Sequence, residues 1–530
     1  MLENLNIVSK RRSRPKKMHP FQTDDQTREI IIDDRDVSLE ELIAVAFEGC
    51  RVRLSSDQAW TDKLQRCRAT LENSLSAGQS VYGVTTGVGS DSCRTIDSEH
   101  CQEFAYQIIR QHGIGLGEAF SEQEGRAIVF ARLVSLAKGY SAVRLSLLEA
   151  LCRLLNCGVI PVIPSLGSVG ASGDLTPLSY LAAVLIGERE VYYGGKVLAA
   201  DEALQRAGLN IHQFVPKESL AIMNGTAVMT AIGAITVERF RRTLSACERA
   251  CALAVEVLFG RSQAFHPTAH RLKHHPGQIA AAAAIRSALE GSRLIDSGKE
   301  DSRIIQDPYS IRCAPHVLGA ARDAQVWAGQ LLQRELNSVN DNPIVDPQQC
   351  EMIFAGNFYG GHVALAMDLL KTAAASVADL LDRQYALLVD SRFNVGLPET
   401  LVAYQGCGLK ALQLTSSALA ARAAQRSAPD TVLSRSTEAH NQDKVSMGLN
   451  AALNAAEVIT LVQQVLATEL IALSNAATLR DQELLSPGSK QLLAKIRSIS
   501  PVLEFDRRLE QDLQGLTRAI NQGLDSAETG

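Results

Sequence analysis

The run Gly167-Ser-Val-Gly-Ala-Ser-Gly-Asp-Leu-Thr-Pro177 sets three small residues, Ala171-Ser172-Gly173, where a backbone nitrogen can attack its own chain. Addition of the Gly173 amide nitrogen to the Ala171 carbonyl carbon, with loss of two waters, one from Ser172, yields an imidazolone ring with an exocyclic methylidene. Gly173 has no Cβ to obstruct the approach, and Ser172 supplies the hydroxyl to be eliminated. The product, 4-methylidene-imidazol-5-one (MIO), is an electrophile of a kind no ordinary side chain offers. It activates an amine as a leaving group with no external cofactor and no metal. The same residues also read as a glycine-rich loop before a helix, with Asp174 near the N-cap and Leu175 onward helical. A phosphate loop fits less well, because no Gly-Lys-Ser/Thr ends the run and the spacing is not Gly-x-Gly-x-x-Gly.

The elements that must hold such a loop are mostly helical. The chain has 530 residues, 46% of them hydrophobic and only 5% aromatic, a balance suited to helix packing. Ile30-Ile31-Ile32 followed by Ser38-Leu-Glu-Glu41 predicts a short strand and a capped helix, and Glu190 to Leu198 predicts a small hairpin turning at Gly194-Gly195. Helical spacing covers 58–77, 97–112, 121–138 and 143–157, then longer stretches at 227–258, 316–336, 362–389, 402–425 and 446–479. A helix of about thirty residues spans roughly 45 Å, so the long ones make an elongated antiparallel bundle whose loops gather at one end. The expected fold is mainly α, with a basic tail over 1–25, a smaller α+β part carrying the glycine-rich loops over 26–225, and a long-helix bundle over 226–530.

A net charge of −5 gives the body no general electrostatic reason to bind nucleic acid or an anionic membrane. Lys10-Arg-Arg-Ser-Arg-Pro-Lys-Lys17 reads as a solvated tail, a localisation signal or a nucleic-acid arm. Eleven cysteines without a Cys-x-x-Cys pair read as reduced thiols, and an N-terminal apolar core for export is missing, so the cytoplasm is expected. The apolar stretch near 449–475 is interrupted by Asn454, Glu457, Gln463, Gln464 and Glu469, which argues against a membrane span.

Eight segments occur in an order that resembles the histidine, phenylalanine and tyrosine ammonia-lyase and aminomutase family over roughly residues 80–500. They are Tyr82 to Gly89, Gly167 to Leu181, Met223-Asn-Gly-Thr226, His275-Pro-Gly-Gln278, Gln306 to Arg312, Asn337 to Pro343, Gly356-Asn-Phe358 and Asn441 to Gly448. The resemblance implies a fumarase/histidine ammonia-lyase-like fold and a homotetramer whose sites draw on three subunits. It makes Tyr82 the base and Tyr309 a second essential tyrosine delivered by another subunit's loop. Asn224 would bond the ring's oxyanion, while Gln306 and Phe358 would shape the ring cavity. Arg312 suits an amino-acid carboxylate because its planar fork makes two parallel hydrogen bonds. A phenol with an ordinary pKa near 10 needs positive charge or converging helix N-termini to act as a base. The chain departs from the family at Tyr359, where histidine is usual, and at Gly361, where a longer polar residue is common.

Two places bear on the substrate. Histidine lyases resemble one another in carrying a glutamate where this chain has Gln442, and a neutral amide there resembles the phenylalanine and tyrosine enzymes. The pair Gln111-His112 matches none of the patterns of the three lyases, but both residues offer a polar group to a substrate phenol. The expected reaction is deamination of L-tyrosine to 4-coumarate and ammonium. The alternatives are a tyrosine 2,3-aminomutase giving β-tyrosine, a phenylalanine or histidine ammonia-lyase, and an inactive helical scaffold.

Overall fold

The structure, a computed structural model, describes residues 29–97, 99–297 and 305–524. The expected basic tail lies outside the described residues. The chain opens with β1 (Glu29–Ile32), α1 (Leu39–Phe47), β2 (Arg51–Leu54), α2 (Gln58–Ser76), α3 (Cys101–Gln111), β3 (Leu116–Ala119), α4 (Glu122–Ala137) and α5 (Leu145–Cys157). There follow β4 (Ile160–Pro161), β5 (Pro164–Leu166), α6 (Leu175–Leu185), β6 (Glu190–Tyr193), β7 (Lys196–Ala199), α7 (Ala200–Ala207) and α8 (Glu218–Met223). The second half holds α9 (Ala227–Val257), α10 (Pro267–Arg271), α11 (Pro276–Ala288), α12 (Tyr309–Arg312), α13 (Ala314–Leu336) and the strands β8 (Ile344–Asp346) and β9 (Glu351–Ile353). It ends with α14 (Gly361–Leu388), α15 (Leu412–Arg426), α16 (Gly448–Thr478), α17 (Pro487–Ile499) and α18 (Glu510–Gln522).

The expected capped helix is present: Ser38 accepts from the Glu41 amide and the Glu41 side chain returns to the Ser38 amide, which satisfies two otherwise orphaned donors of α1. The hairpin is present too, with Tyr193 opposite Lys196 across the left-handed pair Gly194-Gly195. The sheets are small: β1 and β2 pair in parallel, β3 with β5 and β8 with β9 antiparallel, and β4-β6-β7 form three strands. The body of the fold is α9, α13, α14 and α16 packed on one another, with α11 and α15 flanking them. One buried apolar cluster runs from Ile30 to Leu524, so the small N-terminal elements and the long helices share a core.

One expected helix is shorter than its pattern. Residues 402–411 turn instead of coiling, and α15 begins at Leu412. Gly408 sits at φ 58°, and the Asp506 carboxylate collects the Tyr404 hydroxyl and the Cys407 and Gly408 amides, so distant hydrogen bonds outcompete the local helix. α16 is long and apolar enough to cross a membrane, yet 78% of its most apolar window is buried inside the fold. Some of its polar residues bond neighbouring helices: Gln463 donates to Thr243 of α9.

Candidate active site

The run from Gly167 to Asp174 links β5 to α6, and the helices around it all start on the same side. α9 begins three residues after Asn224, α14 three after Phe358 and α16 six after Gln442. Met229 of α9 lies against Gly360 and Gly448, whose missing side chains let the starts of α9, α14 and α16 meet. Each helix N-terminus carries roughly half a positive charge in its unpaired amides, so the loops gather in a region of positive potential. Between them lies a cavity of about 620 Å³ lined by Tyr82, Gln111, His112, Ala171, Ser172, Gly173, Asn224, Phe358 and Gln442, a size suited to a small organic ligand.

Within this cavity the Ala171-Ser172-Gly173 segment is tightly clamped. Asn224 is buried and donates from Nδ2 to the Ser172 carbonyl at 2.8 Å, and the Gly225 amide donates to the same oxygen at 3.3 Å. The Asn224 Oδ1 in turn accepts from the Asn342 amide at 2.6 Å, which fixes the side-chain orientation. Gly173 and Gly225 bridge as neighbouring strands do, and the Asp174 amide donates to the Gly225 carbonyl at 2.7 Å. Any Cβ on Gly173 would fall within 3.0 Å of the Gly225 backbone, and Gly173 and Ser172 both sit at left-handed φ, 74° and 52°. This cradle admits only a bare residue at 173, the condition for close approach of its nitrogen to the Ala171 carbonyl.

Asp174 does occupy the N-cap position of α6, but its side chain makes no capping bond. It is completely buried and turned inward, where Ser168 Oγ (3.2 Å) and the Met229 amide (2.9 Å) donate to it. Burial raises its pKa to about 7, against the pull of those donors. The sequence suggested a simple cap; the tertiary fold ties the loop from Gly167 to Asp174 to α9 instead.

Tyr82 lines the cavity with its hydroxyl accepting from the Gly89 amide at 2.9 Å. Its pKa lies above the ordinary phenol value, first because of burial and then because the Glu438 carboxylate stands nearby, with the Gly89 bond pulling the other way. Among the described residues no side-chain cation lowers it, so the positive charge that the sequence reading offered as one of two aids to the base is not supplied to Tyr82 there. Gln442 is oriented at both ends: Thr437 Oγ1 donates to its Oε1 at 2.9 Å and its Nε2 donates to Ser172 Oγ at 3.3 Å. His112 ends α3 and its Nδ1 lies 2.9 Å from the Ile108 carbonyl. That nitrogen must carry the proton, so in the neutral ring Nε2 is an acceptor.

Three expected residues are not brought to this cavity by their own chain. Gln306 and Tyr309 are exposed, and the Arg312 guanidinium stacks 4.5 Å over the Tyr309 ring while its Nε donates to the Asp307 carbonyl. They stand on the surface as one unit. Glu438 and Tyr359 are among the cavity residues that carry no role in the sequence reading. Glu438 belongs to Glu438-Ala439-His440, three consecutive non-glycine residues at left-handed φ of 49°, 49° and 69°, and no glycine marks that turn in the sequence. Tyr359 stands out in the sequence only as an unusual residue, and its ring lines the cavity beside Phe358.

Comparison with known proteins agrees with this geometry along nearly the whole chain. Residues 37–498 match the family model described as aromatic amino acid lyase. A histidine ammonia-lyase of Gloeobacter violaceus is 39% identical over 496 residues, covering 93% of this chain and 96% of its own. Among solved structures, the tyrosine aminomutase from Streptomyces globisporus superposes with a TM-score of 0.88 at 33% identity, covering 93% of this chain and 97% of its own. The histidine ammonia-lyase from Trypanosoma cruzi does so with a TM-score of 0.85 at 29% identity, covering 93% and 94%. Clamped small-residue loop, cavity, helical bundle and these likenesses all lead to one assignment: the chain belongs to the aromatic amino acid lyase family, the carbon–nitrogen lyases that comprise the ammonia-lyases and aminomutases.

Proposed function

We propose that the protein is an ammonia-lyase for aromatic amino acids with a preference for L-tyrosine, releasing 4-coumarate and ammonium. The observation that carries this reading is the clamp on Ala171-Ser172-Gly173: a bare residue pressed against Gly225, and a carbonyl held by Asn224, inside a cavity that also holds Tyr82. An MIO ring formed there supplies an electrophile for the substrate amine. Tyr82 then takes the β-proton, and the phenol's raised pKa makes it a strong base once ionised. Glu438 lines the cavity, has no ion-pair partner among the described residues, and suits the substrate's ammonium group.

Tyrosine is favoured by two polar features. His112 Nε2 is an acceptor matched to a phenol O–H, and Gln442 is a neutral amide with no charge to offer an imidazolium. An acceptor left without its partner when phenylalanine binds is worth about 1–3 kcal/mol, or roughly tenfold and more in kcat/KM. Tyr309, exposed on its own chain, and the half-buried Arg312 stacked on it would complete the cavity of a neighbouring copy in a homotetramer, with Arg312 gripping the substrate carboxylate. Eleven free thiols suit a reducing cytoplasm.

Histidine deserves a second reading because the Gloeobacter relative bears the name histidine ammonia-lyase, and β-tyrosine a third because of the likeness to a tyrosine aminomutase. Incubating the purified protein separately with tyrosine, phenylalanine and histidine and separating the products decides among them. Coumarate from tyrosine at the highest kcat/KM is the expected outcome. Urocanate formation at a higher kcat/KM, or β-tyrosine as the main product, would overturn the proposal.

A further inference from the structure

Tyr359 and Gly361 touch each other. A Cβ built on Gly361, the first residue of α14, would lie 2.7 Å from Cε1 and 3.1 Å from Cδ1 of Tyr359. The Tyr359 ring therefore rests on the bare Cα of Gly361, in space that any side chain at 361 would occupy. The backbone reinforces the placement: the Tyr359 amide donates to the Gly356 carbonyl and the Gly361 amide to the Tyr359 carbonyl, both at 2.9 Å, so the turn presenting the ring is closed on both sides. The ring lines the cavity with Phe358, and its hydroxyl has no hydrogen-bond partner among the described residues.

We infer that Tyr359 is a substrate-binding residue, with Gly361 as the positioning residue that keeps its ring in place. The hydroxyl is a neutral donor on a stiff arm with only two rotatable bonds, and the strongest acceptor on an amino acid is its carboxylate, whose two oxygens accept several donors at once. Tyr359 adds one such donor from the cavity's own chain. The inference rests on the functional reading above.

Tyr359→Phe removes the donor and keeps the ring, whereas Gly361→Ala keeps the donor and swings the ring aside. Alanine suits the start of α14 at least as well as glycine, so this second variant should fold normally. Steady-state kinetics with the best amino acid, and the Kd of 4-coumarate as a carboxylate-bearing probe that does not react, are measured for wild type, both single variants and the double. Loss of one hydrogen bond to a charged group is expected to raise KM and Kd about five- to tenfold in each single variant, with kcat within about threefold. The double variant should be no worse than the weaker single, because both changes remove the same contact. A Tyr359→Phe protein with KM and Kd within about twofold of wild type overturns the inference, as do single effects that multiply in the double. A wild-type protein that neither turns over aromatic amino acids nor binds coumarate sinks the functional reading and takes this inference with it.

Discussion

Gly173→Ala tests the clamp that the proposed chemistry depends on. The added Cβ would sit 2.8 Å from the Gly225 Cα and closer still to its carbonyl, where ordinary contact begins at 3.4 Å. Both sides of the clash are backbone, so no rotamer relieves it. Gly225 must retreat by about half an ångström or more, which stretches the 2.7 Å bond from the Asp174 amide and the 3.3 Å bond from Gly225 to the Ser172 carbonyl. Holding alanine at φ 74° costs about 1–2 kcal/mol, and a weakened buried amide bond about 1–3 kcal/mol, so a destabilisation of about 2–5 kcal/mol is expected. Ser172→Ala is the matched control. It keeps a Cβ at a position that already has one, puts no new atom against Gly225 and lacks only a hydroxyl that ring formation itself eliminates, so about 1 kcal/mol or less is expected. Intact mass reads ring formation as the loss of two waters, and chemical denaturation reads stability. Both variants should keep the two waters, but only Gly173→Ala should also lose stability. A Gly173→Ala protein as stable as wild type, or one dehydrated to completion, would show that the 173–225 contact does not constrain the loop.

Three further outcomes follow from the same geometry. Glu438→Gln removes a negative charge that helps hold the Tyr82 pKa up, so the rising limb of the pH–rate profile should move to lower pH; an unmoved limb would mean that Glu438 does not face the base. Co-expression of Tyr82→Phe with Arg312→Ala, each inactive alone, should yield mixed oligomers with measurable lyase activity, because some cavities then pair an intact Tyr82 with a neighbour's intact Arg312; inactivity of the mixture would refute completion by a neighbouring copy. Glu469, in the middle of α16, is fully buried with neither carboxyl oxygen bonded among the described residues, and burial holds its pKa well above the ordinary range. The unfolded chain ionises this group above about pH 4.3 while the folded one retains the proton, so its contribution to stability falls as pH rises from there. Glu469→Leu should therefore stabilise the protein by about 1–3 kcal/mol, more at pH 8 than at pH 5, in urea denaturation. A destabilised variant at pH 8 would mean that the carboxyl has a structural partner.

The local chemistry of this protein is written in short segments, and short segments are legible. Ser38 with Glu41, Gly194-Gly195 and the helical spacing of 227–258 and 446–479 each specify an element through contacts a few residues apart, and those elements form as expected. Ala171-Ser172-Gly173 is legible as a cyclising tripeptide because bond formation there involves only neighbours. What no sequence window contains is the partner of each piece. Gly173 must be bare because Gly225, 52 residues on, presses against it, and Asp174 faces α9 instead of capping α6 because burial there is met by the Met229 amide. Glu438 comes near Tyr82 on a run of left-handed residues closed by the Thr437–Gln442 bridge, with no glycine to announce the turn. Residue types thus determined which reactions this chain is equipped for; the meeting of helix starts at Met229, Gly360 and Gly448 decided which groups share one cavity, since only packed elements fix distances between residues far apart in the chain.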